Sequence, residues 1–282
     1  MKILLTGAHG LIGTALLIRL RAGHECRTVT LREPYTVAPA DIAWADAVIS
    51  LNGASLGRVP WTPSYRRQIA ASRVNATTAI AKAIASSTQP PTVWLAASAV
   101  GFYGDRGDEE LTEQSASGKG FLAEVATAWE QATNAAANHT RVVNLRTGLV
   151  LADGGALKPL LLASKFGLGA RLGTGRDWWP WVSLADEVGG IVHVLGHDDI
   201  TGPINLVGPT PARSDEVTRD FAEAAGRPYL MRVPSFALRA VLGQAADELL
   251  LASQKVAPVK LLTTGYHFAA STVASAIATH DQ

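Results

Sequence analysis

The sequence predicts an α/β protein built on a doubly wound parallel sheet, followed by a smaller C-terminal portion. Three observations carry that expectation. An apolar run over residues 2–6 suits a buried parallel strand, GAHGLIG follows it at once, and LIGTALLIRLRAG then sets Leu11, Ala15, Leu16 and Leu20 at helical spacing. Residues 26–31, CRTVTL, read as a second strand, so the first thirty residues form a βαβ unit, whose crossover belongs to a parallel sheet. Further apolar runs, AVISL at 47–51, TVWLAAS at 92–98 and RVVNLR at 141–146, alternate with helical stretches.

The elements follow in order. Gly23 is the expected C-terminal stop of the first helix. Residues 32–47 are too few for a full helix and strand, so the domain is abbreviated there. Thr62 and Pro63 open a long helix over 62–86 as N-cap and first-turn proline, and a second helix is expected over 121–138. After Gly148 the composition changes to FGLGARLGTGRDWWPWVSL, then a strand in GPINLVG, a helix in SDEVTRDFAEAAG and a helical tail. The division expected is 1–150 for the sheet domain and 151–282 for a substrate portion, with some later segments free to return to the sheet.

Composition excludes several classes. A formal net charge of +1 and the lack of any run of four basic residues argue against a nucleic-acid surface. A mean hydropathy of +0.15 comes without an uninterrupted apolar stretch of roughly 18 residues, so no membrane span is expected. Thr6, Gly7 and His9 break the apolar start too early for a signal peptide. The one cysteine, Cys26, fits a packed strand residue in a reducing compartment. The expectation is a cytoplasmic protein with a small-molecule substrate. The seven histidines show no metal-ligand spacing, so no metal is expected.

The chemistry starts at Gly7, Gly10 and Gly13. Glycines at this spacing allow a tight turn, close approach of backbone to a pyrophosphate, and close packing of helix on strand. Leu11 and Ile12 then begin a helix whose free N–H groups favour phosphate, and His9 contributes through its backbone. The position of the loop between first strand and first helix makes it a dinucleotide site of Rossmann type. Cofactor choice is read in TLRE after the second strand. An inward Arg32 favours the 2′-phosphate of NADP, whereas an inward Glu33 favours the NAD ribose; NADP is expected.

GAHGLIG, SLNGASLGRVPWT, SAVGFYGDRGDE, FLAEVATAWE, LRTGLVL and ADELLLASQKVAP together resemble one family. This is the sugar-nucleotide epimerase-like group of atypical extended short-chain dehydrogenase/reductases, which carry their own small C-terminal domain. The resemblance runs nearly end to end. It implies an NAD(P)-binding domain and a cleft completed by the C-terminal part, without naming a substrate. Residue by residue, it places Leu51, Asn52 and Gly53 at the strand end against the cofactor. Ala97 and Ser98 fall on the active-site strand, with Ser98 as the serine and Tyr103 in the tyrosine–glycine pair after it. Thr147 and Gly148 fall in the turn beside the nicotinamide.

One departure matters. Relatives use Tyr-x-x-x-Lys, in which lysine lowers the tyrosine pKa for proton exchange; the matching stretch here runs from Phe121 to Val125 and has no ionisable pair. Tyr103 is then a candidate displaced donor, set against a packing or substrate-contact role, and Glu124 and Lys119 are weaker candidates that a solvated helix face explains equally well. Trp178, Trp179 and Trp181 suit either stacking on a ligand or packing, and Arg73 either a phosphate contact or a surface ion pair. The expected function is NADP-dependent redox or epimerase chemistry on a small or nucleotide-linked carbonyl or alcohol. The rival is a non-enzymatic NADP-binding sensor or scaffold. A homodimer is the state such long helices commonly form.

Overall fold

The computed structural model describes residues 1–152, 154 and 157–278. In chain order the first elements are β1 (Lys2–Thr6), α1 (Leu11–Arg21), β2 (Glu25–Val29), α2 (Pro39–Trp44), β3 (Ala47–Ser50), α3 (Pro63–Ala85) and β4 (Val93–Ala99). A 3₁₀ turn, Val100–Tyr103, leads to β5 (Glu110–Leu111), α4 (Phe121–Gln131), β6 (Arg141–Thr147), β7 (Leu149–Leu151) and α5 (Lys158–Lys165). Next come β8 (Ala170–Leu172), β9 (Trp178–Trp179), β10 (Trp181–Ser183), α6 (Leu184–Gly196), β11 (Gly202–Leu206), β12 (Ala212–Arg213) and α7 (Ser214–Ala224). The tail holds β13 (Met231–Val233), α8 (Ser235–Leu242), α9 (Gln244–Leu249), β14 (Lys255–Val256), α10 (Val259–Thr263) and α11 (Val273–Ala278).

Six parallel strands form the central sheet in the order β11-β6-β4-β3-β1-β2. Strand alternation sends Ile3 and Leu5 into a core shared with α1 and α6 on one face, and Leu4 into the core beneath α2 and α3 on the other. Both faces are therefore apolar, as a doubly covered sheet requires. The chain reverses its direction of strand addition between β1 and β3, and the crevice at their C-terminal ends is where ligands bind in such sheets. α3 starts as its sequence dictates, with Thr62 Oγ1 accepting from the Tyr65 amide at 3.2 Å. Tyr65, Ile69, Ala76, Ile80 and Ile84 form its buried stripe.

Several boundaries differ from expectation. α1 ends on Ala22 in right-handed helical conformation, and Gly23 is not in the left-handed region, so it does not stop the helix. The abbreviated stretch holds the six-residue α2 and no extra strand. α4 ends at Gln131, with a short 3₁₀ turn at Asn134–Ala136 completing the segment. After residue 150 the chain returns to the sheet, as the sequence leaves room for, since α6 packs on α1 and β11 pairs with β6. The rest of the C-terminal part is small ribbons and helices around Trp179, Trp181, Val217 and Phe221. Among the described residues no helix is long and apolar enough to cross a membrane.

Candidate active site

The glycine loop occupies the switch point. Gly7 ends β1 at φ +77°, a left-handed conformation, and a Cβ there would lie 2.5 Å from the Leu51 carbonyl oxygen. At Gly13 a Cβ would strike the Gly7 carbonyl, so the first turn of α1 rests directly on the loop. Gly10 differs: a Cβ there would meet only Gly7 O, at 3.4 Å, and otherwise stand in the cleft. α1 begins after Gly10 with no side-chain cap and no acidic residue in its first turn. Its N–H groups and positive dipole end thus face the cleft unneutralised, a fit to a pyrophosphate cradle.

The cleft has two lobes meeting at this loop. The outer lobe is lined by His9, Arg32, Glu33, Tyr35, Arg67 and Gln68. β2 stops at Val29, so Arg32 and Glu33 stand on the loop after it, and a turn closed by Tyr35 N donating to Arg32 O (2.6 Å) shapes that loop. Strand alternation therefore does not choose between them. Arg67 of α3, which sequence reasoning missed, faces the same lobe and makes two guanidinium groups against one carboxylate. Its signal was the helical spacing of α3, which sets Ser64, Arg67, Gln68 and Ala71 on one face.

The inner lobe, about 330 Å³, falls in the size range of small-molecule sites. Leu51, Asn52, Gly53, Ala97, Ser98, Thr147 and Gly148 all line it, beside Leu11 and Ile12, so the residues expected for cofactor and serine converge here. The Thr6 hydroxyl donates to Asn52 Oδ1 and fixes its amide.

Ser98 sits at the mouth of a buried polar chain. Its Oγ donates to Glu130 Oε1 at 2.7 Å, and Arg146 grips the same carboxylate with two bonds of 2.8 Å. Arg146 Nη1 also donates to the Tyr103 oxygen at 2.9 Å, and the Tyr103 hydroxyl donates towards Asn205 Oδ1 at 2.7 Å. Because its hydrogen goes to Glu130, Ser98 presents lone pairs to the cleft. Tyr103 corrects an expectation: it is fully buried, does not line the cleft, and burial raises its pKa. It anchors Arg146, in keeping with a packing role, and stands outside the cleft that a displaced donor would have to reach. Glu124 and Lys119 are exposed and lie outside the lining too.

Where relatives carry their tyrosine and lysine, α4 presents Leu122, Val125 and Ala126 to the cleft. Its N-terminus is held from the C-terminal part: Glu248 Oε1 and Oε2 accept from the Phe121 and Leu122 amides at 2.8 and 3.1 Å. Gly120, at φ +114°, lets that carboxylate approach. Arg73 lines the inner lobe, with Nη1 donating to Ile69 O at 3.1 Å and the guanidinium 5.2 Å from the Trp129 ring centroid. No carboxylate pairs with it among the described residues, which rules out the surface ion pair. Burial pushes its pKa down to about 10, so it stays cationic at neutral pH. Of Trp178, Trp179 and Trp181, only Trp179 borders the lobe, and it is a core residue with Nε1 bonded to Leu250 O. No cluster of metal ligands occurs among the described residues.

Beneath the Thr147–Gly148 turn, Thr147 Oγ1 donates to Glu187 Oε1 at 2.7 Å, while Glu187 Oε2 is buried without a partner among the described residues. Desolvation raises this carboxyl to about 8, so it is neutral at pH 7. The folded protein holds a proton that the unfolded chain releases near pH 4.5, so stability falls as pH rises from about 4.5 to about 8. Urea unfolding at pH 5 and pH 8 should show this loss, and Glu187→Gln should flatten it. An equally steep fall in the variant would show that other groups cause it.

Residues 3–208 match the NAD dependent epimerase/dehydratase family, and residues 233–279 match a domain of unknown function (DUF1731). The chain is 36% identical to Epimerase family protein ML0860 of Mycobacterium leprae, over 98% of this chain and 94% of that one. The crystal structure of human epimerase family protein SDR39U1 (isoform2) with NADPH superposes with a TM-score of 0.91 at 32% identity, covering 99% of both chains. A UDP-glucose 4-epimerase from Thermus thermophilus, solved with NAD, superposes at 0.77 over 100% of this chain and 98% of that one; at 17% identity it shares the fold.

Proposed function

The chain belongs to the NAD dependent epimerase/dehydratase family, and from that premise we propose that it binds NADP(H) along the two-lobed cleft and carries out redox or epimerase chemistry on a small or nucleotide-linked carbonyl or alcohol. One observation carries the reading. The bare N-terminus of α1 opens onto the junction of the two lobes, with Arg32 and Arg67 in the outer lobe and Ser98 in the inner. The helix end holds the pyrophosphate, and the two guanidinium groups hold a 2′-phosphate. The relative crystallised with NADPH supports the choice of dinucleotide.

Bound in this way, the cofactor supplies or accepts a hydride at its nicotinamide ring. Ser98 accepts a hydrogen bond from the reacting hydroxyl. As the alcohol is oxidised, its proton passes to Ser98 Oγ while the serine proton passes to Glu130; reduction runs the same path backwards. Thr147 and Gly148 shape the wall beside the ring, with Glu187 holding Thr147.

The apolar α4 face favours a second reading, a sensor that binds NADP(H) without turning it over. Deuteride transfer from 4-deuterated NADPH to a panel of small carbonyl compounds separates the two. The redox reading expects transfer, with Ser98→Ala about 10²-fold slower and NADPH affinity unchanged. Tight NADPH binding with no transfer to any carbonyl contradicts it in favour of the sensor.

A further inference from the structure

Among the described lining of the inner lobe, Arg73 and Glu248 are the only charged side chains, and they are not equivalent. The Glu248 carboxylate is engaged, since both its oxygens accept amides of α4 and Oε1 also receives Gln244 Nε2 at 3.3 Å. The Arg73 guanidinium makes one hydrogen bond, to a carbonyl of its own helix, and leaves its other donors to the cleft. It is well placed. Its central carbon lies 3.0 Å from where a Cβ on Gly53 would stand, and the Trp129 ring beside it is fixed by Nε1 donating to Thr77 Oγ1 at 2.8 Å. Leu56, Leu122, Val125 and Leu249 make the neighbouring walls apolar.

A desolvated cation without an anion is costly to keep, and a guanidinium fork in an apolar wall is matched by a planar oxyanion. Only one cation is on offer. A nucleoside diphosphate brings at least two negative charges plus a base and ribose, and would face a single guanidinium and the Glu248 carboxylate in about 330 Å³ that the nicotinamide must share. A monocarboxylate with a compact apolar body satisfies both charge and volume.

We propose that the substrate is a small hydroxy- or oxo-carboxylate with an apolar body, its carboxylate paired with Arg73 and its reacting oxygen at Ser98. This rests on the redox reading above and narrows its substrate class away from nucleotide-linked sugars.

The test uses the full chain saturated with NADP, titrated with benzoate, benzamide and UDP, with tryptophan fluorescence as the readout. Benzoate should bind at least tenfold more tightly than its neutral isostere benzamide, and UDP more weakly than benzoate. Arg73→Gln should abolish the preference for benzoate, and Arg73→Lys should keep part of it. Both variants should bind NADPH like the wild type, and Arg73→Gln should melt no lower, since it removes a half-buried cation that no carboxylate pairs with among the described residues. Three results would overturn the proposal: equal binding of benzoate and benzamide, Arg73-dependent binding of UDP tighter than that of benzoate, or a tenfold loss of NADPH affinity in Arg73→Gln, which would assign Arg73 to the cofactor. Failure of the wild type to bind NADPH is a separate result and would remove the redox reading itself.

Discussion

Replacing Glu130 with alanine should lower the folding stability by about 3–5 kcal/mol, the cost of leaving a buried charge without its partner. The Glu130 and Arg146 side chains are 13% and 4% exposed, so water cannot replace the lost carboxylate. Ser98 and Arg146 both lose their acceptor in the variant, and the cation remains 3.6 Å from the Phe102 ring centroid with Tyr103 as its remaining side-chain bond. For a chain of this length the loss corresponds to a fall in melting temperature of roughly 6–15 °C. Adding Arg146→Met should recover part of it, because a pair removed whole leaves no orphan charge. A Glu130→Ala protein melting within a degree of wild type would show that this chain of contacts does not hold the cleft floor.

Changing cofactor preference is the second large effect. Arg32→Ala and Arg67→Ala should each weaken NADPH binding about tenfold or more and leave NADH binding nearly unchanged, since only the 2′-phosphate meets these groups. The double variant should bind the two dinucleotides with similar affinity. The preference should also shrink in high salt, because both groups stand in solvent at the outer lobe. An equal loss for NADH in either single variant would mean that the arginine meets the pyrophosphate instead.

Much of this site could be read in the sequence because its parts are local. The glycine loop joins two elements that any βαβ unit places together, while Leu51–Gly53, Ala97–Ser98 and Thr147–Gly148, which the family resemblance implies, lie at or just beyond the ends of strands visible as apolar runs. What escaped arrives from far along the chain. Glu130 reaches Ser98 from 32 residues away, and Glu248 caps α4 from 127 residues beyond Phe121. Nearness to Ser98 in sequence does not tell which side of the 3₁₀ turn faces the cleft, so Tyr103 stays open there between proton donor and packing residue; Arg146 and Asn205 draw its hydroxyl into the core. Arg32 against Glu33 was framed as a question of strand direction, yet β2 ends before either, and the second arginine came from a helix.

The central claim is that the loop at Gly10 cradles a 2′-phosphorylated dinucleotide, and the most direct measurement is calorimetric titration of the purified chain with NADPH and NADH, beside Gly10→Ala. The account predicts one site per chain, NADPH preferred by at least tenfold, and binding lost in Gly10→Ala without loss of melting temperature, since that Cβ enters the cleft and strikes nothing in the fold. No heat with either dinucleotide, or unaltered binding by Gly10→Ala, would contradict it.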